Sequence, residues 1–298
     1  MQHSVVGTRE NLDKVRDFFR RKHVNDRWDL FSDNVLIRHP FGGRVSSRSV
    51  WYGKHEVGLL ERMIQHEFRS ITYHDLDIHE CSDGANFWVL ARTREDSISS
   101  NGKPYYQRFV HHFTFEEGLI ARWDEYFDAL ALRSLRTGEK PVEFGNLREL
   151  RPEVETASVG SEESREENLS VVRQFLDGDP YHPDTRLPHW APDAIKELAW
   201  TPPSWPVTSS FSGEELLGET RNGSAVFGKC IHRDVELYPT LDPCVFFATS
   251  RMDNAATFRG ELYPQSFVLV LRVERGKVKI LREYFDTALI ERWGPTLD

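Results

Sequence analysis

Two glutamates occupy positions at which a carboxylate could move protons. The tetrapeptide Glu-Tyr-Phe-Asp occurs twice, beginning at Glu125 and at Glu283. Each copy predicts the end of a strand, on which Glu125 shares a face with the apolar residues Trp123 and Phe127. A carboxylate among apolar side chains has a raised pKa, which suits it to accept and donate protons near neutral pH. A structural carboxylate paired with an arginine is the alternative, and we favour the chemical role for Glu125 more than for Glu283.

Histidine supplies the second candidate group for proton transfer. His74 lies in an alternating run in which Leu76 and Ile78 share its face, so we expect it to face the same cavity as Glu125. Imidazole, with an ordinary pKa of about 6.5, is the usual proton carrier at neutral pH. His111 is expected to line the cavity because the residues two positions away on either side are phenylalanines. A histidine that only completes the core is the alternative for both.

Aromatic and polar side chains would complete the cavity and hold a flat substrate. The candidates for substrate contacts are His111, Tyr106, Trp28, His39, Tyr52 and Trp88. The candidates for a second cavity are Glu283, Arg233, Tyr263 and Trp200. The histidines around Glu125 match no metal-ligand spacing, and the chain has no phosphate-binding loop, nucleophile motif or dinucleotide fingerprint. We therefore predict no metal and no cofactor, and a chemistry of proton movement.

Positions at both ends of a long segment recur at nearly one offset. The tripeptide Glu-Asn-Leu at position 10 returns at position 167, 157 residues later, and Glu125 returns as Glu283 after 158 residues. Two such anchors predict one domain duplicated in tandem. We place the first domain at residues 8–135, a linker at 136–164 and the second domain at 165–298.

The order of hydrophobic patterns is the same in both repeats. In the first, helical spacing at 9–23 and 54–66 is followed by alternating or aromatic-rich runs at 72–79, 87–93, 105–115 and 119–127. A short helix and a strand near His39 lie between the two helices. Helices followed by antiparallel strands predict an α+β fold. The second repeat adds a proline-rich insert at 201–206, which we interpret as a rigid loop.

Composition restricts the possible partners and compartment. The 298 residues carry a formal net charge of −9, which argues against nucleic acid or an anionic membrane as partner. The three cysteines have neither metal-ligand spacing nor a disulfide framework. With no long apolar run and no signal-peptide pattern, we expect a cytoplasmic protein whose partner is a small-molecule substrate.

Three helices before a strongly curved antiparallel sheet resemble the NTF2-like fold, also called ketosteroid-isomerase-like or SnoaL-like. The residues at 73–78, 86–89, 105–113 and 125–127 are similar in type and order to the phenazine-biosynthesis A/B family. This resemblance implies homodimeric cones, in which one histidine and one glutamate promote condensation of an aminoketone. His74 and Glu125 stand at those two positions. The resemblance further implies a pseudo-dimer whose two cones pack sheet to sheet, as a monomer or as a homodimer.

The second repeat departs from the family pattern more than the first does. It has Arg233 at the position of His74, with His232 one residue earlier, and a one-residue shift on a strand would turn that imidazole to the opposite face. The family's arginine before the catalytic glutamate is retained as Arg282 but is Asp124 in the first repeat. We expect the first cavity to be catalytic and the second to be altered.

These observations predict a cofactor-independent cyclase, isomerase or dehydratase that acts on a small planar carbonyl or imine compound of natural-product biosynthesis. Glu125 would move the proton while His74 polarises the heteroatom, and Arg38 or Arg94 could meet a substrate carboxylate. One alternative is a non-catalytic small-molecule-binding or scaffold protein. Another is an epoxide-hydrolase-type enzyme, for which the candidate residues are Asp75, Arg92 and Asp124.

Overall fold

The computed structural model describes the chain as two compact units. They comprise Met1–Val142 and Glu143–Asp298. The residues that the structure describes are 5–21, 24–138, 144, 147–150, 162–201, 210–227, 230–253, 260 and 262–293. The proline-rich insert, apart from residue 201, and much of the predicted linker lie outside these ranges. In the described part of the chain, no helix is both long and apolar enough to cross a membrane.

Unit 1 consists of helices followed by a six-stranded sheet and a closing helix. Its helices are α1 (Val5–Arg20), α2 (Lys54–Glu67) and α3 (Ala129–Thr137), with short 3-10 helices at Val24–Leu30 and Gly42–Arg44. Its strands are β1 (Phe31–Arg38), β2 (Val50–Tyr52), β3 (Phe68–Ser70), β4 (His74–Glu80), β5 (Asn86–Arg92), β6 (Ile98–Ser99), β7 (Arg108–Glu116) and β8 (Leu119–Phe127). The sheet order is β2-β1-β8-β7-β5-β4, and β3 pairs with β6. Only the β1–β8 pair of the large sheet is parallel.

Unit 2 repeats the six-stranded sheet of unit 1 in the same strand order. Its helices are α4 (Glu162–Asp177), α5 (Pro183–Arg186), α6 (Gly213–Phe227) and α7 (Thr287–Trp293), with a 3-10 helix at Leu187–His189. Its strands are β9 (Trp190–Leu198), β10 (Ser210–Ser212), β11 (Arg233–Pro239), β12 (Val245–Met252), β13 (Gln265–Glu274) and β14 (Lys277–Phe285). The sheet order is β10-β9-β14-β13-β12-β11, again with one parallel pair, β9–β14. The predicted α+β fold in two tandem units is confirmed, and the packing of the units as a pseudo-dimer stays a prediction.

Aromatic packing covers one face of the unit 1 sheet with α1. Phe18 on α1 is fully buried, and its ring meets those of Phe113 and Trp123 edge to face, both at 4.9 Å between centroids. Such contacts combine a large buried apolar area with a favourable ring geometry. Because strand residues alternate, the face that holds Trp123 also holds Glu125.

Both sheets carry the same irregularity near the start of an edge strand. Asp75 in β4 and Asp234 in β11 each have a φ of +50°. The pairing register shifts just after His74 in β4 and just after Arg233 in β11. A bulge inserts an extra residue and breaks the alternation of faces along a strand. The face pattern read from the middle of either strand therefore does not extend back across its aspartate.

The parallel strand pair of each unit holds an ion pair whose carboxylate is buried, and the polarity is opposite in the two units. Arg38 on β1 lies opposite Asp124 on β8, with N–O distances of 2.6 and 2.7 Å. Glu197 on β9 lies opposite Arg282 on β14, with Nε 2.9 Å from Oε2. Asp124 and Glu197 are both fully buried. The duplicated positions have exchanged their charges.

Part of the predicted linker packs on unit 2. The amide of Arg148 donates to Glu197 Oε1 at 2.8 Å, and its carbonyl oxygen accepts from Arg282. The carbonyl oxygen of Leu150 accepts from Arg272 at 2.5 Å, and the Leu150 side chain is buried. Residues 148–150 therefore satisfy buried charged groups of the second sheet, in addition to connecting the two units.

The two hairpin turns before β8 and β14 give a test of backbone strain. Glu117 and Arg275 each have a positive φ, +51° and +52°, and each precedes a glycine that also has a positive φ. Asparagine tolerates this conformation better than glutamate or arginine does. We expect Glu117→Asn and Arg275→Asn each to raise the free energy of unfolding by about 0.5–1 kcal/mol, measured by urea denaturation. Glu116→Asn, outside the turn, is the control, and an equal gain there would contradict the explanation.

Candidate active site

The centre of the candidate site is the carboxyl group of Glu125, near the end of β8. The side chain points to the face of the sheet that α1 covers, and the residue is 7% exposed. Burial raises the pKa of Glu125 to about 7, because it outweighs the lowering effects of a hydrogen bond from Tyr73 and of the Arg27 charge. A carboxyl group with this pKa can both take and return a proton at neutral pH.

Tyr73 is a donor to this carboxyl group. Its hydroxyl donates to Glu125 Oε1 at 3.2 Å. Burial, followed by the nearby charge of Glu125, raises the pKa of Tyr73 well above its ordinary value. The phenol therefore keeps its proton and remains a hydrogen-bond donor throughout the physiological range.

His39 approaches the other carboxylate oxygen. It follows β1, and its Nε2 lies 3.3 Å from Glu125 Oε2. The ring is packed edge to face against Trp51 and Phe127, at 4.7 and 5.5 Å between centroids. Burial lowers the pKa of His39 to about 4. His39 is therefore a neutral imidazole at pH 7, able to donate or accept one hydrogen bond but adding no charge.

His111 is held in one tautomer. The indole Nε1 of Trp123 donates to His111 Nδ1 at 3.2 Å, so the imidazole proton is on Nε2. His111 Nδ1 is 3.6 Å from Glu125 Oε1, and burial, followed by the charge of Arg27, lowers the pKa of His111 well below its ordinary value. His111 is therefore a neutral imidazole packed beside Glu125, but it is fully buried and is not among the residues that line the cavity, which corrects its assignment as a lining residue.

A buried guanidinium balances the Glu125 charge. Arg27 is 4% exposed, its guanidinium lies 4.1 Å above the Phe18 ring, and its Nη2 donates to the carbonyl oxygen of Arg21 at 2.7 Å. Burial lowers the pKa of Arg27, while the neighbouring Tyr73, Glu125 and Glu61 act against this effect. Arg27 thus supplies a fixed positive charge near the carboxylate.

A cavity of about 80 Å³ opens onto Glu125. Its polar lining includes His39, Tyr73 and Glu125. Most of the remaining lining is apolar or aromatic: Trp51, Leu60, Met63, Ile64, Phe68, Ile71, Tyr105, Phe109, Phe127 and Leu132. Apolar walls exclude water and strengthen electrostatic interactions inside a site. The arrangement can move a proton at a small substrate group held beside two neutral hydrogen-bonding side chains.

The structure does not bring His74 to this cavity, and the prediction that it faces Glu125 is wrong. The imidazole of His74 lies 2.8 Å from Asp96, and His74 is not among the cavity-lining residues. The cause is the bulge at Asp75, which breaks the alternation on which the prediction relied. Tyr73, one residue earlier, lines the cavity instead. Regular alternation along β4 would place Tyr73 on the opposite face, so the sequence pattern does not predict this.

The other predicted contact residues divide into two groups. His39 lines the cavity, whereas His111 lies beside Glu125 without lining it. Trp28, Tyr52 and Tyr106 are 41%, 63% and 44% exposed and do not line the cavity, which corrects their assignment. Trp88 is fully buried but stacks on His112 at 4.2 Å, and since His112 is the strand neighbour of His111, both lie on the sheet face opposite Glu125.

The residues considered for an epoxide-hydrolase-type enzyme, Asp75, Arg92 and Asp124, do not lie in the cavity with Glu125. Asp75 makes ion pairs with Arg92 and Arg94 at partly exposed positions. Asp124 is on the opposite face and pairs with Arg38. Neither Arg38 nor Arg94 lines the cavity. Across the described residues, no group of three or more histidines, cysteines, aspartates or glutamates is placed to hold a metal ion.

In unit 2 the glutamate equivalent to Glu125 is Glu283, and a buried lysine forms an ion pair with it. Lys196 is buried, with Nζ 3.3 Å from Glu283 Oε2 and 2.7 Å from Glu219 Oε1. By strand register Lys196 corresponds to Ile37, since Lys196 pairs with Leu281 as Ile37 pairs with Trp123. Burial raises the pKa of Glu283, while the adjacent Lys196 acts in the opposite direction.

The other residues predicted for the second cavity are either exposed or engaged in packing and hydrogen bonds of the fold. Arg233 is exposed, and Trp200 packs edge to face on Tyr284 at 5.0 Å, on the face opposite Glu283. Tyr263 is buried, and its hydroxyl accepts from Gln265 at 2.9 Å. His232 corresponds to Tyr73 and is buried with Nδ1 2.9 Å from Ser250 Oγ, so the expectation that it points away from the core is wrong for the same reason as for His74.

Comparisons with known proteins give relatives of the predicted kind. No family model matches the chain. Over 95 residues, 32% of this chain, it is 25% identical to an uncharacterised PhzA/B-like protein of Pseudomonas aeruginosa; the match spans 66% of that relative, slightly under two-thirds of its length.

The similar solved structures include NTF2-like and phenazine-biosynthesis-related proteins. A phenazine biosynthesis-related protein of P. aeruginosa has 16% identity and a TM-score of 0.39, with 54% of this chain and 94% of that chain covered. An NTF2-like protein of unknown function from Burkholderia pseudomallei has 23% identity and a TM-score of 0.37, with 42% and 96% covered.

The raised pKa of Glu125 predicts a pH-dependent stability. Glu125 would titrate near 4.5 in the unfolded chain and near 7 in the folded one, so between these values the folded protein binds more protons. The free energy of unfolding should therefore fall as pH rises through this interval, by roughly 3 kcal/mol in all. Glu125→Gln should lack this decrease and exceed the wild type in stability at about pH 8.

Urea denaturation of both proteins at about pH 5 and pH 8 measures this difference. Glu116→Gln, which alters an exposed carboxylate of β7, is the matched control and should follow the wild type. The same pH dependence in the wild type and in Glu125→Gln would contradict a raised pKa.

Removing Lys196 should show how much it stabilises the buried carboxylates of unit 2. Lys196→Met leaves Glu219 and Glu283 without their cation, and we expect a loss of about 3–5 kcal/mol in the free energy of unfolding at neutral pH. The loss should be smaller at lower pH, where Glu283 takes up a proton. Lys279→Met is the control, because its partner Asp193 is exposed, and it should cost less than about 1 kcal/mol. Equal losses in both variants would refute the assignment.

Proposed function

We propose that unit 1 is a cofactor-independent acid–base enzyme of the cyclase, isomerase or dehydratase type, acting on a small, largely planar carbonyl or imine compound of natural-product biosynthesis. The observation that carries the proposal is a buried carboxyl group with a pKa of about 7 inside an apolar cavity. Carboxyl groups in this state are typical general bases and acids, since their pKa matches the working pH.

In the proposed reaction Glu125 removes a proton from a carbon next to the carbonyl or imine group. The bonding electrons of that C–H bond move to the oxygen or nitrogen, where negative charge develops. Glu125 then returns the proton to another atom of the substrate, which completes an isomerisation, or to a leaving hydroxyl group, which completes a dehydration. No electron acceptor or further reactant is needed.

Tyr73 and His39 are placed to stabilise the charge that develops on the heteroatom. Both flank the Glu125 carboxyl group, at 3.2 and 3.3 Å, and both are neutral near pH 7. A neutral donor in a dry cavity stabilises an oxyanion without the cost of burying a further charge. Tyr73 and His39 take the role that the sequence assigned to His74.

Unit 2 lacks the neutral hydrogen-bonding histidines that lie beside the glutamate in unit 1. Lys196 holds Glu283 in an ion pair, and leucines stand at the positions of His39 and His111, namely Leu198 and Leu269. The ammonium group of Lys196 opposes the raising effect of burial on the pKa of Glu283 and occupies the carboxylate, which leaves it less available to a substrate. We therefore assign the chemistry to Glu125 and a supporting role to unit 2.

Deuterium exchange tests the proposal. Ketones, β-amino ketones and enones are incubated with the protein in D₂O and analysed by mass spectrometry. We expect exchange at carbon with the wild type, a loss of about 10²–10⁴-fold in Glu125→Gln, and no change in Glu283→Gln. The rate should increase with pH through about 7, as the Glu125 carboxyl group loses its proton.

Two further variants distinguish the structure-based roles from those read from the sequence. Tyr73→Phe should slow the exchange by about 10²-fold or more, the effect of removing one donor to a developing oxyanion. His74→Asn should leave the rate unchanged, because His74 does not line the cavity. Binding of panel compounds without exchange of any of them would contradict the proposal and favour the alternative of a small-molecule-binding protein.

A further inference from the structure

A large depression adjoins the small cavity at Glu125. Its volume is about 750 Å³, compared with about 80 Å³ for the inner cavity. Four side chains line both spaces: Trp51, Met63, Glu67 and Arg136. The inner cavity is large enough for only a small reacting group, so the remainder of a substrate would have to lie in the depression.

Three arginines and a single carboxylate lie among the side chains that line the depression, in a chain whose formal net charge is −9. The ionisable residues of the lining are Arg48, Arg62, His66, Arg136 and Glu67. Arg48 is already paired with Glu56. Arg62, exposed on α2, makes no hydrogen bond or ion pair with any residue that the structure describes. A free guanidinium beside a concave surface is a receptor for a carboxylate or a similar planar anion.

Arg136 stands where the depression meets the inner cavity. It lies on α3 and binds both carboxylate oxygens of Glu67, the last residue of α2, with Nη2 2.7 Å from Oε2. Its Nη1 also donates to the carbonyl oxygen of Val45. One arginine thus connects three segments around the entrance, and the ion pair is partly exposed, with side-chain accessibilities of 39% and 21%.

We propose that the depression binds an organic anion, with Arg62 and Arg136 as its receptors, and that the anion replaces Glu67 on Arg136. Because the ion pair is partly exposed, water can solvate Glu67 once an incoming carboxylate has taken its place on Arg136. The substrate class is then a compound with a carboxylate remote from its carbonyl or imine group. This assignment of class rests on the proposed function, whereas anion binding in the depression does not.

Binding of two matched compounds tests the proposal. The probes are 2-naphthoate and 2-naphthamide, which are similar in shape and differ in charge, and their dissociation constants are measured by calorimetry at low salt. With the wild type we expect naphthoate to bind about tenfold or more tightly than naphthamide. Added salt should weaken naphthoate binding and leave naphthamide binding unchanged.

Variants on the two sides of the ion pair should shift binding in opposite directions. Arg62→Gln and Arg136→Gln should each weaken naphthoate binding about tenfold, because each removes a charged donor. Glu67→Gln should tighten it, because Arg136 loses its competing carboxylate. Arg16→Gln, which changes an exposed arginine of α1, is the control and should bind as the wild type does.

Several results would overturn the proposal. These are equal binding of the two probes to the wild type, binding of neither probe, or weaker naphthoate binding by Glu67→Gln. Glu125→Gln should keep the preference for naphthoate, so this experiment remains informative if the exchange experiment shows no activity. Conversely, exchange without anion preference would refute the depression site and leave the role of Glu125 intact.

Discussion

The site depends on the burial of one carboxyl group in an apolar cavity. An isolated carboxylate in such surroundings is costly, and the cost appears as the raised pKa of Glu125. The groups in contact with it are kept neutral by the same burial, since the pKa values of His39 and His111 are lowered and that of Tyr73 is raised. Arg27 supplies the balancing charge from a fixed position. The result is a site in which a single proton is mobile near pH 7.

The two units show how few changes convert such a site into an ion pair. Arg27 and Arg186 occupy equivalent places, each above a phenylalanine ring of the first helix of its unit and each bonded to a carbonyl oxygen after that helix. This repetition identifies the arginine as part of the shared framework. The main difference is Lys196 at the position of Ile37, which brings an ammonium group to Glu283.

The sequence was sufficient for the architecture, since duplication and the α+β class followed from repeats and alternation. Alternation also predicted the buried, apolar surroundings of Glu125 that the structure shows. His74 was predicted on the wrong face because the bulge at Asp75 reverses the alternation in β4. Trp88 was predicted on the wrong face because both faces of β5 carry apolar residues, so alternation does not show which face lines the cavity. The sequence did not identify Lys196 as a residue of the second site. The offset between equivalent residues of the two repeats differs by one residue between β8 and β1, so only the strand register shows that Lys196 corresponds to Ile37.

The exchanged polarity of the two ion pairs has a consequence for the folding of a duplicated chain. Tandem repeats risk pairing a strand of one copy with the partner strand of the other. If β9 took the place of β1 beside β8, Glu197 would lie against Asp124, and the converse exchange would place Arg38 against Arg282. Each wrong pairing places two like charges side by side, with at least one of them buried. The charge inversion therefore disfavours pairing between strands of different units.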